Sequence, residues 1–231
     1  MSFLENQFFL LALTFIVFYF AKELQRKTQS VLLNPILISI ALLILFLKVN
    51  EIPYETYQQS GKIIEFWLKP AVVALGVPLY LQLGVIKKQL LPILLSQLAG
   101  CIVGVFTVVL IAKTLGASQE VILSLAPKSV TTPIAMEVTK SIGGIPSLTA
   151  AVVVCVGLIG AIFGFKTMTF MRINSPIAQG LSLGTAAHAV GTSTAMDVSR
   201  NYGAYASLGL TLNGILTAVL TPFILKLMNI L

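Results

Sequence analysis

A lysine and a histidine occupy matching places in two polar interruptions of an otherwise apolar chain. The first interruption is Pro127-Lys128-Ser129-Val130-Thr131-Thr132-Pro133; the second, 60 residues later, carries Gly184-Thr185, His188 and Gly191-Thr192-Ser193-Thr194. The register is set by Ala135-Met136-Glu137-Val138-Thr139-Lys140 lying over Ala195-Met196-Asp197-Val198-Ser199-Arg200, which puts Lys128 opposite His188. In the first stretch Ser129, Thr131 and Thr132 supply hydroxyls, and Pro133 is suited to open a second half-helix whose leading amides have no partner within the helix. Lys128 adds a full positive charge. Amides, hydroxyls and a cation together are the chemistry of a site for a small anion such as a carboxylate. In the second stretch His188 stands in for the lysine and is able to exchange a proton near neutrality, while Gly184 and Gly191 allow close backbone approach. The candidate substrate-binding set is therefore Lys128, Ser129, Thr131, Thr132, Pro133, His188, Gly191, Thr192 and Ser193, with Asn34 a further candidate from the second apolar run.

Glu137 and Asp197 also match across the two stretches, and each precedes a base by three residues, Lys140 and Arg200. That spacing favours an ion pair on each half-helix. The alternative is a proton or cation relay involving Glu137, Asp197 and His188, because carboxylates inside a membrane are functional candidates. No GxGxxG, Walker loop, HExxH or nucleophile elbow is present, and a single histidine cannot build a multi-histidine metal site. The expectation is a protein that is not an enzyme and that needs neither cofactor nor metal.

The elements that must position these residues are apolar helices. The chain has 231 residues, of which 57% are hydrophobic and 10% charged, against roughly 25% charged residues in a soluble domain. The formal net charge is +7, but the bases sit singly or in pairs at the ends of apolar runs. That placement is the cytoplasmic-loop bias of a membrane protein and not a nucleic-acid surface. Cys101 and Cys155 lie inside apolar runs without metal-ligand spacing and read as packing residues.

The first run, Phe8 to Ala21, is preceded by Glu5 and followed by Lys22, Arg26 and Lys27, the reverse of a signal peptide, so it reads as a span with its N-terminus outside. Val31 to Leu47 is a second span. Its Asn34-Pro35 either opens the helix or sets Asn34 in a cavity. A polar connection over Lys48 to Lys62 leads to an amphipathic approach and a third span, Pro70 to Ile86, containing Pro78. Lys87-Lys88 mark the inner face, and Leu90 to Ala112 is a fourth span. In each interrupted stretch two half-helices are expected around a break, followed by a full span: Ile145 to Phe165 after the first, about Tyr205 to Leu225 after the second. If 118–142 crossed the membrane, Lys166 and Arg172 would be left outside, against the positive-inside bias. Two re-entrant hairpins, one from each face, avoid this and give an inverted repeat whose tips meet near the midplane.

The expected fold is thus an all-α polytopic membrane protein of about six transmembrane helices plus two re-entrant or broken-helix segments. It reads as one membrane domain, with 1–117 as N-terminal helices, 118–165 as the first copy and 175–225 as the second.

The same residues resemble the LrgB/CidB family of bacterial membrane proteins. The likeness rests on Leu33-Asn34-Pro35, Lys69-Pro70-Ala71-Val72-Val73-Ala74-Leu75 with Pro78-Leu79-Tyr80, Pro127 to Met136, Gly143-Gly144-Ile145-Pro146 and Gly184 to Thr192, and it covers essentially the whole chain. It implies an inner-membrane, multi-pass protein acting with a small LrgA/CidA-like membrane partner in a homo- or hetero-oligomer. Relatives of the family include the C-terminal half of the plant chloroplast glycolate/glycerate translocator and bacterial pyruvate-uptake components. Others carry the description antiholin-like regulator of murein hydrolase activity and cell lysis. Two functions follow as expectations: a carrier for small monocarboxylates of the glycolate, glycerate, pyruvate or lactate class, or a regulator of lysis with no transport of its own.

Overall fold

The computed structural model describes residues 3–28, 33, 35–74, 77, 80 and 83–231. Asn34 and Pro78, singled out above, lie outside the described residues. All regular structure among the described residues is helical, and the chain divides into two compact units, Met1–Leu75 and Gly76–Leu231.

The first unit packs α1 (Gln7–Thr28) against α2 (Pro35–Val49) and α3 (Tyr54–Ala74). Leu10 is fully enclosed, Phe9 and Phe46 stack at 6.2 Å between ring centres, and Thr14 Oγ1 lies 3.0 Å from the Tyr57 hydroxyl. Pro35 opens α2, where its missing amide costs nothing. The polar connection expected over Lys48 to Lys62 is only partly a connection. The turn closes at Pro53, and α3 already runs from Tyr54 through the amphipathic stretch, because Glu55 in its first turn complements the helix dipole.

The second unit begins with α4 (Leu83–Lys88) and α5 (Leu90–Thr114). It continues with two short helices, α6 (Gln119–Leu125) and α7 (Thr132–Ile142), then α8 (Pro146–Phe170), α9 (Pro176–Val198) and α10 (Arg200–Leu227). Among the described residues four helices, α1, α5, α8 and α10, are long and apolar enough to cross a bilayer, and α2 is a shorter apolar helix. The third span expected over Pro70 to Ile86 is described only in part: Pro70 to Ala74 end α3 and Leu83 to Ile86 belong to α4, while residues 75, 76, 78, 79, 81 and 82 lie outside the described residues.

The α6–α7 segment is a hairpin that does not cross. Ser124 Oγ accepts from the Ile145 amide at 2.7 Å, and Thr149 Oγ1 donates to the Ser124 carbonyl at 2.9 Å. Ser118 is only six helical residues, about 9 Å, before Ser124. Both ends of the segment therefore lie close together, far short of the ~30 Å of a hydrocarbon core. Thr139 and Thr149 share a 2.8 Å hydroxyl contact, and Ala135 packs with Val153, so α7 returns antiparallel to α8. Gly143, in the left-handed conformation at φ 85°, ends α7 and turns the chain.

The second hairpin is folded inside α9. Helical geometry breaks at Ala187 (φ −124°, ψ 18°) and His188 (φ 42°, ψ −135°). On the first arm, residues 176–186, Gly180 abuts Tyr202 and Tyr205 while Gly184 abuts Ala206 and Leu210, so this arm runs parallel to α10. On the second arm, Met196 meets Gly203 and Ala195 clusters with Ala206, so that arm runs antiparallel. Both arms end at the face where α10 starts.

Candidate functional site

The two breaks meet on one turn of α8. The Val153 side chain packs against Val130 of the first break. Its carbonyl accepts a hydrogen bond from His188 Nε2 of the second at 2.8 Å. Along α8, Gly157 lies under the His188 ring, Gly160 under Ala187 and Gly164 under Leu183. The first arm of α9 is therefore antiparallel to α8, and the second hairpin enters from the face opposite the first. That is the inverted arrangement in which irregular backbone at membrane depth is enclosed by protein.

Asn213, 1% exposed in the middle of α10, joins the first break to the first arm of the second hairpin. Its Nδ2 donates to the Ser129 carbonyl at 3.1 Å and the Thr185 carbonyl at 3.0 Å. Thr185 Oγ1 in turn donates to Gln97 Oε1 on α5 at 2.6 Å. Beside this network lies a cavity of about 660 Å³ bounded by α5, the first break, the first arm of α9 and α10. Lys128, Ser129 and Asn213 are among its lining residues, and it extends from Gln89 and Ser175 to Val105 and Thr217. The face holding Gln89 and Ser175 also carries Lys87, Lys88, Lys166, Arg172 and Arg200, with Asp197 its acid; the opposite end of the unit has Lys113, Lys140 and Lys226 beside Glu120 and Glu137. At that opposite end an apolar cluster of Val105, Val109, Ile122, Leu123, Val138 and Leu225 closes the space beyond the first break.

Lys128 Nζ donates to Ser129 Oγ at 3.0 Å, and among the described residues no carboxylate stands within salt-bridge distance of it. Among the described residues no acidic or aromatic side chain lines the cavity. Lys128 is half-buried, and a charge withdrawn from water without a counter-charge is costly.

The remaining expected residues are placed differently. Thr131 is buried as the N-cap of α7 and Pro133 sits in its first turn, as the sequence suggested, but neither they nor Thr132 line the cavity. His188 is 3% exposed and turned into α8, outside the cavity lining. Thr192 Oγ1 bonds back to the His188 carbonyl at 2.9 Å. Gly191 packs against Leu183 and Ala187 of its own hairpin, and Ser193 is exposed on the second arm. The second break is two residues long, so the Gly191-to-Thr194 hydroxyls belong to a helix and not to a tip. Glu137 and Asp197 are exposed, and the expected ion pairs with Lys140 and Arg200 are not made. For Asp197 the reason is plain: Ser199 is extended (φ −168°) and caps α10, so Asp197 and Arg200 belong to different helices. Glu137 and Lys140 share α7 and are both exposed, and an exposed pair in water contributes little.

Asn213 and Gln97 are functional candidates that the sequence reading passed over. The available signal was a primary amide in the middle of an apolar run, which demands a partner at membrane depth.

The fold and site define a polytopic helical membrane protein with two opposed re-entrant hairpins around a cationic cavity. Residues 14–227 match the LrgB-like family, and the chain belongs to it. It is 38% identical over 218 residues to the uncharacterized protein YwbG of Bacillus subtilis, covering 94% of this chain and 97% of that one. It is 36% identical to the holin-like protein CidB of Staphylococcus aureus, covering 94% and 95%. With the antiholin-like protein LrgB of Bacillus cereus it shares 37% identity, covering 83% of each. No solved structure matches the chain.

Proposed function

We propose that this protein is an inner-membrane carrier for small monocarboxylates of the glycolate, glycerate, pyruvate or lactate class. The observation that carries the reading is Lys128, with no carboxylate within salt-bridge distance among the described residues, in the lining of a cavity whose other polar groups include hydroxyls and amides. One cation suits one carboxylate, and the neighbouring Ser129 hydroxyl suits a substituent oxygen. By the positive-inside bias the cavity faces the cytoplasm. Coupling through Glu137 or Asp197 finds no support in the cavity lining, and His188 lies behind it. Calorimetric titration of the purified protein with glycolate, pyruvate and lactate tests the assignment. Saturable binding lost in Lys128→Ala is expected; equal binding by both proteins removes the role of Lys128.

A second reading, favoured by the holin-like and antiholin-like descriptions of its relatives, is a regulator of murein hydrolase activity and cell lysis acting through an LrgA/CidA-like partner. These descriptions agree with the second reading better than with the first. Lysis phenotypes that persist in Lys128→Ala cells but vanish when a packing glycine such as Gly160 is changed would favour it.

A further inference from the structure

The two hairpins match in sequence register but are held in different ways. The second hairpin and α10 meet through glycines placed where backbones touch, and the glycines of α8 receive side chains of the hairpin at close range. An added Cβ at Gly180 would stand 2.7 Å from the Tyr202 carbonyl oxygen, one at Gly209 2.5 Å from that of Leu181, and one at Gly157 2.7 Å from the His188 ring. Main-chain atoms in such contact cannot slide without separating whole helices. The first hairpin, residues 118–142, contains no glycine. The positions matching Gly180, Gly184 and Gly209 are Glu120, Ser124 and Thr149. Its arms are pinned to α8 by the Ser124, Thr139 and Thr149 hydroxyls. Its break, 127–131, is held to α10 by one side-chain hydrogen bond, from Asn213 to the Ser129 carbonyl, and to α8 by Val130.

We propose that the first break is the movable wall of the cavity, latched by Asn213 against a glycine-locked body made of α8, α9 and α10. The inference rests on the carrier reading and adds to it which hairpin moves. With the latch made, Lys128 and Ser129 face the cavity, and the apolar cluster beyond the break closes the far end. Withdrawal of the break from Asn213 and Val153 opens a path from the cavity past that cluster to the opposite face. The second hairpin stays fixed. Asn213 acts here as a positioning residue, because its amide holds the main chain of the break.

The test uses the full chain in oriented membrane vesicles, with Cys101→Ser and Cys155→Ala and a single reporter, Ser96→Cys, on the α5 wall of the cavity. A membrane-impermeant maleimide is added from either face, and labelling of the reporter peptide is quantified by mass spectrometry. One cysteine pair, Val130→Cys with Val153→Cys, ties the break to α8; a second, Leu181→Cys with Leu208→Cys, ties the second hairpin to α10. In reduced protein the reporter is expected to label from both faces. Oxidising the first pair abolishes labelling from the far face, reductant restores it, and oxidising the second pair leaves it intact. Asn213→Val, which removes the latch without a cross-link, raises far-face labelling. Loss of far-face labelling with the second pair, alone or together with the first, overturns the gate assignment and leaves the carrier reading standing. A reporter that never labels from the far face, Asn213→Val included, removes the carrier reading and the gate with it.

Discussion

Replacing Gly184 by alanine sets one methyl group against the main chain of α10. The new Cβ would stand 2.7 Å from the Ala206 carbonyl carbon and 2.8 Å from the Leu210 nitrogen, and would overlap the Ala206 carbonyl oxygen, where ordinary contact begins at 3.4 Å. None of these atoms can rotate away, so the arm and α10 must move apart. Overpacking of this kind costs about 1–3 kcal/mol, and the better helix propensity of alanine offsets up to ~1 kcal/mol of it. The net expectation is a loss of roughly 1–2 kcal/mol. Gly104 on α5 is the internal control, because a Cβ there meets nothing within 4 Å. Gly104→Ala keeps only the propensity gain and is expected to stabilise by up to ~1 kcal/mol. Thermal unfolding of both variants in detergent should therefore shift in opposite directions, by about 2–4 °C per kcal/mol for a chain of this size. A Gly184→Ala protein as stable as the wild type would refute the parallel packing of the second hairpin on α10.

Three further outcomes follow from the same geometry. His188→Ala removes the hydrogen bond that the Val153 carbonyl accepts beside its own helical one, while keeping a main-chain φ of 42°; melting should fall by an amount equivalent to ~0.5–1.5 kcal/mol. Thr149→Val keeps the shape but removes the hydroxyl that reaches both Thr139 and the Ser124 carbonyl. A loss of ~1–3 kcal/mol is again expected in thermal unfolding, with Ser141→Ala, whose hydroxyl only bonds back to Val138, nearly silent. Lys128→Gln replaces a charge-assisted contact to a bound carboxylate, worth ~1.5–3 kcal/mol, and should weaken affinity about 10- to 150-fold in a calorimetric titration.

Much of this arrangement was legible in the sequence because duplication leaves a register. The offset that put Lys128 opposite His188 also pairs Ser124 with Gly184, and in the structure both contact the helix that follows their hairpin, at Thr149 in one copy and at Ala206 and Leu210 in the other. Two prolines framed the first break, and the start of α7 at Thr132 follows from them. The second break was misjudged in extent. Hydroxyl-rich Gly191 to Thr194 looks like a loop, yet glycine packing and the back-bonds of Thr192 and Thr194 to the carbonyls four residues earlier hold it as a helix. The direction in which His188 points depends on Gly157 being three turns into another helix, which no local pattern records. Asn213 was missed for a related reason: its counterpart in the first copy is Val153, so the repeat that exposed Lys128 hid the amide that joins the first break to the second hairpin.

The central claim is that the pocket between the first break, the first arm of α9, α5 and α10 passes a small organic anion across the membrane. The most direct measurement is uptake of labelled pyruvate and glycolate into proteoliposomes holding the purified chain, with and without an LrgA/CidA-like partner. Saturable flux above empty liposomes, reduced at least about tenfold by Lys128→Gln, is the predicted result. Wild-type flux no greater than that of empty liposomes under both conditions, or equal flux in the wild type and Lys128→Gln, would contradict it.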